Sequence, residues 1–291
     1  SEAHKTQILN AVATLAEKAE RVLAVATKTV LENEIETTKE DNLIFVGLVG
    51  IIDPPREEAK AAIKQCFKAG LKPIMITGDH PDTAFAIAKE LRIAKNKNQV
   101  MTGAQLDKLS ISELAKIIDN FSVFARVSPE HKSKIVKAFK KQGHVVAMTG
   151  DGVNDAPSIA EANIGICMGQ TGTDVTKSVS DLVITDDNYS TIIVAIKQGR
   201  TIYSNIQKII LFLLSTNAVE VLGIFISTIV LRDCIFLLPS QILFINLVTD
   251  SFPAFALGLN KPEKNIMDLP PRSSKDNLFS GKIGTSILYQ S

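Results

Sequence analysis

The sequence predicts an α/β protein: a mostly parallel sheet domain followed by a transmembrane α-helical hairpin. Three observations carry this. Short β-branched apolar runs alternate with amphipathic stretches between about Leu43 and Thr185, prolines with polar neighbours open several of those stretches, and two long apolar runs occupy residues 209–259.

The strands of the sheet domain are expected at residues 43–51, 72–77, 121–126, 144–149, 164–168 and 182–185. Helix starts carry their own punctuation. Asp53-Pro54-Pro55, His80-Pro81-Asp82 and Ser128-Pro129-Glu130 each place a proline in a first helical turn, where its missing N–H costs nothing. Residues 1–42 read as a helix, a strand at 21–30 and a charged loop at 32–41, too little for a domain of their own. Residues 190–208 read as a helix leading into the first apolar run.

That run, 209–231, carries Glu220 as its only formally charged residue. At about 1.5 Å per residue it covers the ~30 Å hydrocarbon layer. The second, 235–259, is interrupted by Pro239 and Pro253 and carries Asp250. Neither shows the polar face of a soluble amphipathic helix, and prolines are tolerated in spans whose neighbours satisfy the freed carbonyls. Lys197, Arg200 and Lys208 precede the first run and Lys261, Lys264, Arg272 and Lys275 follow the second, which puts both outer ends in the cytoplasm.

Composition narrows the function. In 291 residues, 32 Lys and Arg balance 31 Asp and Glu, so the overall charge argues against a nucleic-acid partner. A mean hydropathy of +0.16 is high for a wholly soluble chain. Cys66, Cys167 and Cys234 are odd in number and widely spaced, with no His/Cys cluster, which points away from a disulfide framework or a zinc site. The chain opens on Ser1 with no signal peptide, so it is expected to begin inside a longer reading frame.

The chemistry gathers at two strand ends. Thr77-Gly78-Asp79 and Thr149-Gly150-Asp151 each close an apolar strand, and ligands bind at the carboxyl edge of such sheets. Alone, the first copy is more readily a polar turn than a functional loop. The second continues as Gly152-Val153-Asn154-Asp155, placing two carboxylates and an amide in one turn, a hard-oxygen set suited to Mg²⁺ holding a phosphate. Between them Ser128 to Lys134 opens a lysine-rich helix whose N-terminus suits an anion, with Lys132 the better candidate. In the apolar runs, Asn217 and Glu220 share one helix face and Asn246, Thr249 and Asp250 another. Two carboxylates with amide and hydroxyl oxygens select a hard cation, calcium first, while Ser215 and Thr216 fit a role as interhelical glue.

DPPR at 53–56, TGD at 77–79, ARVSPEHKSKIV at 125–136, TGDGVNDAP at 149–157 and NLVTD at 246–250 resemble the P-type ATPases. The nearest resemblance is to calcium pumps of the sarcoplasmic/endoplasmic reticulum and secretory-pathway kind and their bacterial relatives. The resemblance implies a haloacid-dehalogenase-like, Rossmann-type phosphorylation domain at 53–189, after a nucleotide-domain tail and hinge strand at 1–52. A stalk helix at 190–208, spans at 209–231 and 235–259, the fifth and sixth of the family, and a cytoplasmic loop at 260–291 would follow. It implies that Thr77, Gly78 and Asp79 contact phosphate and Lys132 stabilises it. Asp151 would hold Mg²⁺, with Arg126, Asn154 and Asp155 supporting the cofactor. Residues 53–56 would be the hinge to an ATP-binding domain. Asn217, Glu220, Asn246, Thr249 and Asp250 would bind Ca²⁺, with Mn²⁺ able to share the site and protons returning as the metal leaves. Partners would be the lipid bilayer and the pump's remaining segments, in a multi-pass protein whose sheet domain is cytoplasmic. The family's DKTGT and its phosphorylated aspartate are absent here, so the chain alone should not hydrolyse ATP through a phosphoenzyme. A membrane-anchored phosphatase of the same fold and a non-catalytic cation-binding module are the rival readings.

Overall fold

The structure is a computed structural model that describes residues 2–17, 20–29, 41–51, 55–230 and 237–273. It divides into two compact units, Ser1–Phe67 with Lys72–Ser190 and Lys68–Leu71 with Thr191–Ser291.

In the first unit, α1 (Glu2–Glu17) precedes β1 (Arg21–Thr27) and β2 (Ile44–Ile51), which pair antiparallel with a register shift at Val25/Ala26. This corrects the expectation that 43–51 joins the parallel sheet. A parallel partner needs a helical crossover, and the charged stretch between β1 and β2 carries no helix-length apolar stripe, whereas an antiparallel partner needs only a loop. Leu23, Val25, Phe45, Val46 and Val49 are all exposed on this ladder.

A parallel sheet follows in the order β3 (Met75–Ile76), β5 (Val123–Ala125), β4 (Val100–Thr102). Its helices are α2 (Glu57–Lys68), α3 (Pro81–Glu90), α4 (Gly103–Asp107), α5 (Ile111–Ile117) and α6 (Pro129–Gln142). The middle strand β5 is buried on both faces, and strand alternation sorts its residues. Val123 and Ala125 meet Ala84 and Ala88 of α3, while Phe124 turns to Leu114, Ile135 and Phe139 of α5 and α6. Phe124 and Phe139 meet edge to face, centroids 6.5 Å apart. β3 is shorter than the expected 72–77 because Pro73 has no N–H to give a ladder. β4 was not expected, being three residues long.

The second parallel sheet runs β6 (Ala147–Gly150), β7 (Ile164–Met168), β8 (Leu182–Ile184), with α7 (Ala156–Glu161) and α8 (Asp174–Val179) between its strands. β7 matches its expected range. Gly165 is required there, since a Cβ would lie 2.6 Å from Ile159 Cγ2 and force α7 off the sheet. Ile76 of β3 packs on the cluster of Val136, Met148 and Ile159, which ties the two sheets together. α/β architecture with parallel sheets is thus confirmed.

After β8, Asp187 adopts a left-handed φ of 50°. From there its carboxylate accepts the N–H groups of Gln170 (2.9 Å) and Thr171 (2.8 Å) in the turn after β7.

In the second unit, α9 (Tyr189–Val230) is a helix of 42 residues of which Thr191 onward belongs here. After residues 231–236, which lie outside the described residues, come α10 (Pro239–Phe244), a π-turn at Ile245–Thr249 and α11 (Ser251–Gly258). Both α9 and Pro239–Gly258 are long and apolar enough to cross a membrane. They run antiparallel: Asn205 on α9 donates to the carbonyls of Gly258 (3.2 Å) and Asn260 (3.0 Å), while Asn246 reaches Glu220 farther along. Arg200 fastens the segment beyond α11 by donating to the carbonyls of Ile266 and Leu269, and it also reaches that of Ala69. Among the described residues Ser215 and Thr216 make no bond between helices: Thr216 donates within its own helix to Leu213 O, and Ser215 Oγ is buried without a partner.

The Gln170 amide foremost, joined by Thr171, draws the Asp187 carboxyl down to about 2. A depressed pKa contributes stability that is present above the unfolded value near 4 and lost as pH falls through about 2. Urea midpoints of the unaltered protein and an Asp187→Asn variant should therefore differ by a constant amount above about pH 4 and converge as pH falls towards 2.

Candidate functional site

The carboxyl edges of β3 and β6 build the first site. At the end of β3, Thr77 Oγ1 donates to Asp79 Oδ2 (2.7 Å) and accepts the Asp79 N–H (3.1 Å), a closed side-chain turn. A Cβ on Gly78 would meet nothing within 4 Å, so space above that peptide is open. The following strand end is pinned to this turn. Arg126, at φ 50°, donates its N–H to Asp79 O (3.1 Å), and Val127 donates to Thr77 O (3.3 Å). The left-handed backbone at Arg126 ends β5 and starts the approach to α6.

Ser128 caps α6 with Pro129 in its first turn, and His131 reciprocates by accepting the Ser128 N–H (3.0 Å) while its Nε2 meets Asp107 (2.7 Å). One residue on, the Lys132 ammonium donates to Asp155 Oδ1 in an ion pair. Asp155 is only 7% exposed. Its carboxylate folds back over the end of β6, and Gly150 makes this possible, because a Cβ there would lie 2.5 Å from Asp155 Cβ. Asp151 and Asn154 stay exposed on the same turn. Thr173 donates its N–H to Asp151 O (2.9 Å), fixing that peptide from the β7 side.

The structure therefore joins Thr77, Asp79 and Arg126 in one hydrogen-bonded group and Lys132 with Asp155 in another. Sequence reasoning missed the hold on Asp151 from residues 169–173 and the role of Asp187 in shaping them. The only signal was two glycines closely spaced after a strand. Of the hinge motif, Asp53 and Pro54 lie outside the described residues, and Arg56 donates to Asp187 O (3.3 Å). An exposed Asp151 carboxylate beside an amide and a second acid is a donor set that fits Mg²⁺, with hard oxygens and no sulfur or imidazole.

The second unit carries the other site. Asn246 donates to Glu220 Oε2 (3.3 Å), while Glu220 Oε1 and Asp250 Oδ2 are buried without a partner among the described residues. Asp250 is 5% exposed. An unpaired carboxylate out of water costs several kcal/mol, which a bound cation would offset. The shared face expected for Asn246, Thr249 and Asp250 assumed an α-helix. Instead Asp250 donates its N–H to Ile245 O (3.0 Å), closing a wider π-turn, and Pro253 has no N–H to offer Thr249 O. Asn217 and Thr249 are exposed and make no hydrogen bond to this group among the described residues. No three His, Cys, Asp or Glu side chains gather into a metal cluster among the described residues, so a cation here would draw on amide, hydroxyl or carbonyl oxygen besides the two acids.

Residues 3–163 match the family described as haloacid dehalogenase-like hydrolase, and residues 234–291 match that described as cation transporting ATPase, C-terminus. Among curated relatives, "Calcium-transporting ATPase 1" of Bacillus cereus is 52% identical over 97% of this chain and 32% of its own length. "Calcium-transporting ATPase" of Bacillus subtilis is 50% identical over 94% of this chain and 31% of its own. "Endoplasmic reticulum calcium ATPase srcA" of Aspergillus fumigatus is 45% identical over 83% of this chain and 25% of its own. The chain spans about a third or less of the length of these relatives.

Replacing Lys132 by Ala strands Asp155 as a buried, unpaired charge and should cost about 3 kcal/mol of stability, read from the shift in urea midpoint. Lys132→Arg should recover part of it.

Proposed function

The chain belongs to the haloacid dehalogenase-like hydrolase family, and from that premise we propose that it forms the phosphorylation domain and two membrane spans of a P-type, ATP-driven calcium pump. The observation that carries the reading is the pair of buried carboxylate oxygens, Glu220 Oε1 and Asp250 Oδ2, that have no partner among the described residues and sit on two helices long and apolar enough to span a bilayer. Such oxygens need a cation, and their amide neighbour Asn246 supports a hard one. Calcium is the cargo, in keeping with the names of the relatives. Manganese shares the same oxygen chemistry, and protons neutralise the acids when the metal leaves.

In the sheet unit, the open peptide at Gly78 and the Thr77–Asp79 turn receive the phosphoryl oxygens, and Arg126 stands at their border. Lys132, poised on Asp155, swings its charge towards the transferred group. Asp151 would hold Mg²⁺, with Asn154 and Asp155 beside it; when bound, the ion neutralises phosphate charge. The acceptor aspartate comes from outside these residues. β3 and β6, the strands that end in Thr-Gly-Asp, are each the terminal strand of their sheet, so a further parallel strand bearing that aspartate would join them. ATP is delivered by a nucleotide domain to which the β1–β2 ladder belongs. The exposed apolar residues on that ladder support this, since they require a cover. Basic residues flanking the two spans set the sheet unit in the cytoplasm.

In a full-length pump carrying these residues, Asp250→Asn should raise the calcium concentration for half-maximal uptake by ~100-fold or more while leaving phosphorylation by inorganic phosphate intact. Asp151→Asn should do the reverse, abolishing phosphorylation and sparing equilibrium calcium binding. Unchanged calcium dependence in the Asp250 variant would sink the reading.

A further inference from the structure

We propose that Asp187 is a positioning residue for the phosphate site: its carboxylate locks residues 169–173 so that Thr173 holds the Asp151 peptide in place. This rests on the reading of function above.

Four observations converge on it. Asp187 is held at a φ of 50°, uncommon for any residue other than glycine, and that conformation aims its two oxygens separately, Oδ1 to the Gln170 N–H and Oδ2 to the Thr171 N–H. The base of the clamped turn is tied to the end of β8 by the Gly169 N–H donating to Ile184 O (2.8 Å) and by the Gln170 side-chain Nε2 donating to Thr185 O (3.2 Å). The turn has no slack. A Cβ on Gly169 would lie 2.9 Å from Ile184 O, and one on Gly172 would collide with Met168 O and with Cys167 Sγ at 2.5 Å. Its last residue, Thr173, donates one hydrogen bond to Asp151 O (2.9 Å), and its hydroxyl accepts from Thr176 N (3.3 Å) to start α8.

The direction of control follows from this geometry. Asp151 is exposed, and its main-chain partner on the β7 side is the Thr173 amide, so where that peptide points depends on where the turn lies. With both Asp187 oxygens engaged, the turn is held at two successive amides. Asp187 is itself held by Arg56, whose guanidinium donates to its main-chain oxygen from the hinge motif. The clamp therefore lies between the hinge and Asp151 on a chain of direct hydrogen bonds.

Asn and Gly both tolerate positive φ, so two replacements remove the clamp without straining the backbone. Asp187→Asn turns one acceptor into a donor facing an N–H, and Asp187→Gly removes both acceptors. In the full-length pump, each should raise the Mg²⁺ concentration for half-maximal phosphorylation by inorganic phosphate about tenfold. Each should also speed amide hydrogen exchange across residues 170–173, with ATP affinity kept within about twofold. Mg²⁺ dependence within about twofold of the unaltered pump in both variants would overturn the inference, even with faster exchange. So would a parallel loss of ATP affinity, which marks a general loss of fold. If the unaltered pump accepts no phosphate from inorganic phosphate and Mg²⁺, the functional reading falls and takes this inference with it. If it does and the variants match it, only the inference falls.

Discussion

A carboxylate withdrawn from water must find positive charge, and this chain meets that demand in two opposite ways. In the sheet unit Asp155 is buried against Gly150 and answered from within by the Lys132 ammonium. In the helical unit Asp250 is buried as deeply, yet one of its oxygens has no partner among the described residues. The first arrangement is self-sufficient and stable. The second leaves an oxygen unanswered among the described residues, a cost that a bound cation or proton would offset, as the proposed transport site requires.

The elements around each acid follow from that difference. Lys132 can reach Asp155 because Ser128 and His131 cap α6 so that its first turn is ordered, and because Pro129 sits where a missing N–H is harmless. Around Asp250 the helix is irregular instead of capped. A π-turn and a proline release main-chain oxygens next to the acid, and irregular backbone within an apolar span is tolerated where it lines a polar site.

Much of the sheet unit was legible because its strands are short apolar runs bounded by strong punctuation. Residues 164–168 form β7 as expected, and both Thr-Gly-Asp sequences fall at strand ends. The failures have local causes. Pro73 trims β3, the Val100–Thr102 strand is too brief to show a period, and β2 has the all-apolar character of a parallel strand while pairing antiparallel. The site was legible as residue types but not as contacts. Lys132 and Asp155 are 23 positions apart, and nothing in their spacing announces an ion pair. The Asp187 clamp depends on a φ angle, which composition does not encode. The face of Asn246, Thr249 and Asp250 was misjudged for a related reason, since 3.6-residue periodicity was assumed through a segment that winds more widely, whereas Asn217 and Glu220 do lie on a regular helix.

That wider winding separates two kinds of information in the second apolar stretch. Relative to a regular helix, Ile245–Thr249 contains one residue in excess, and a single residue of excess turns everything beyond it by about 100°. The bearing of the acid is thus written in chain length as well as in side-chain identity. Deleting one residue between Asn246 and Asp250 would turn Asp250 about the helix axis by about 100° relative to Asn246, so a relative that differs only by such a gap would keep the same polar residues and lose their arrangement.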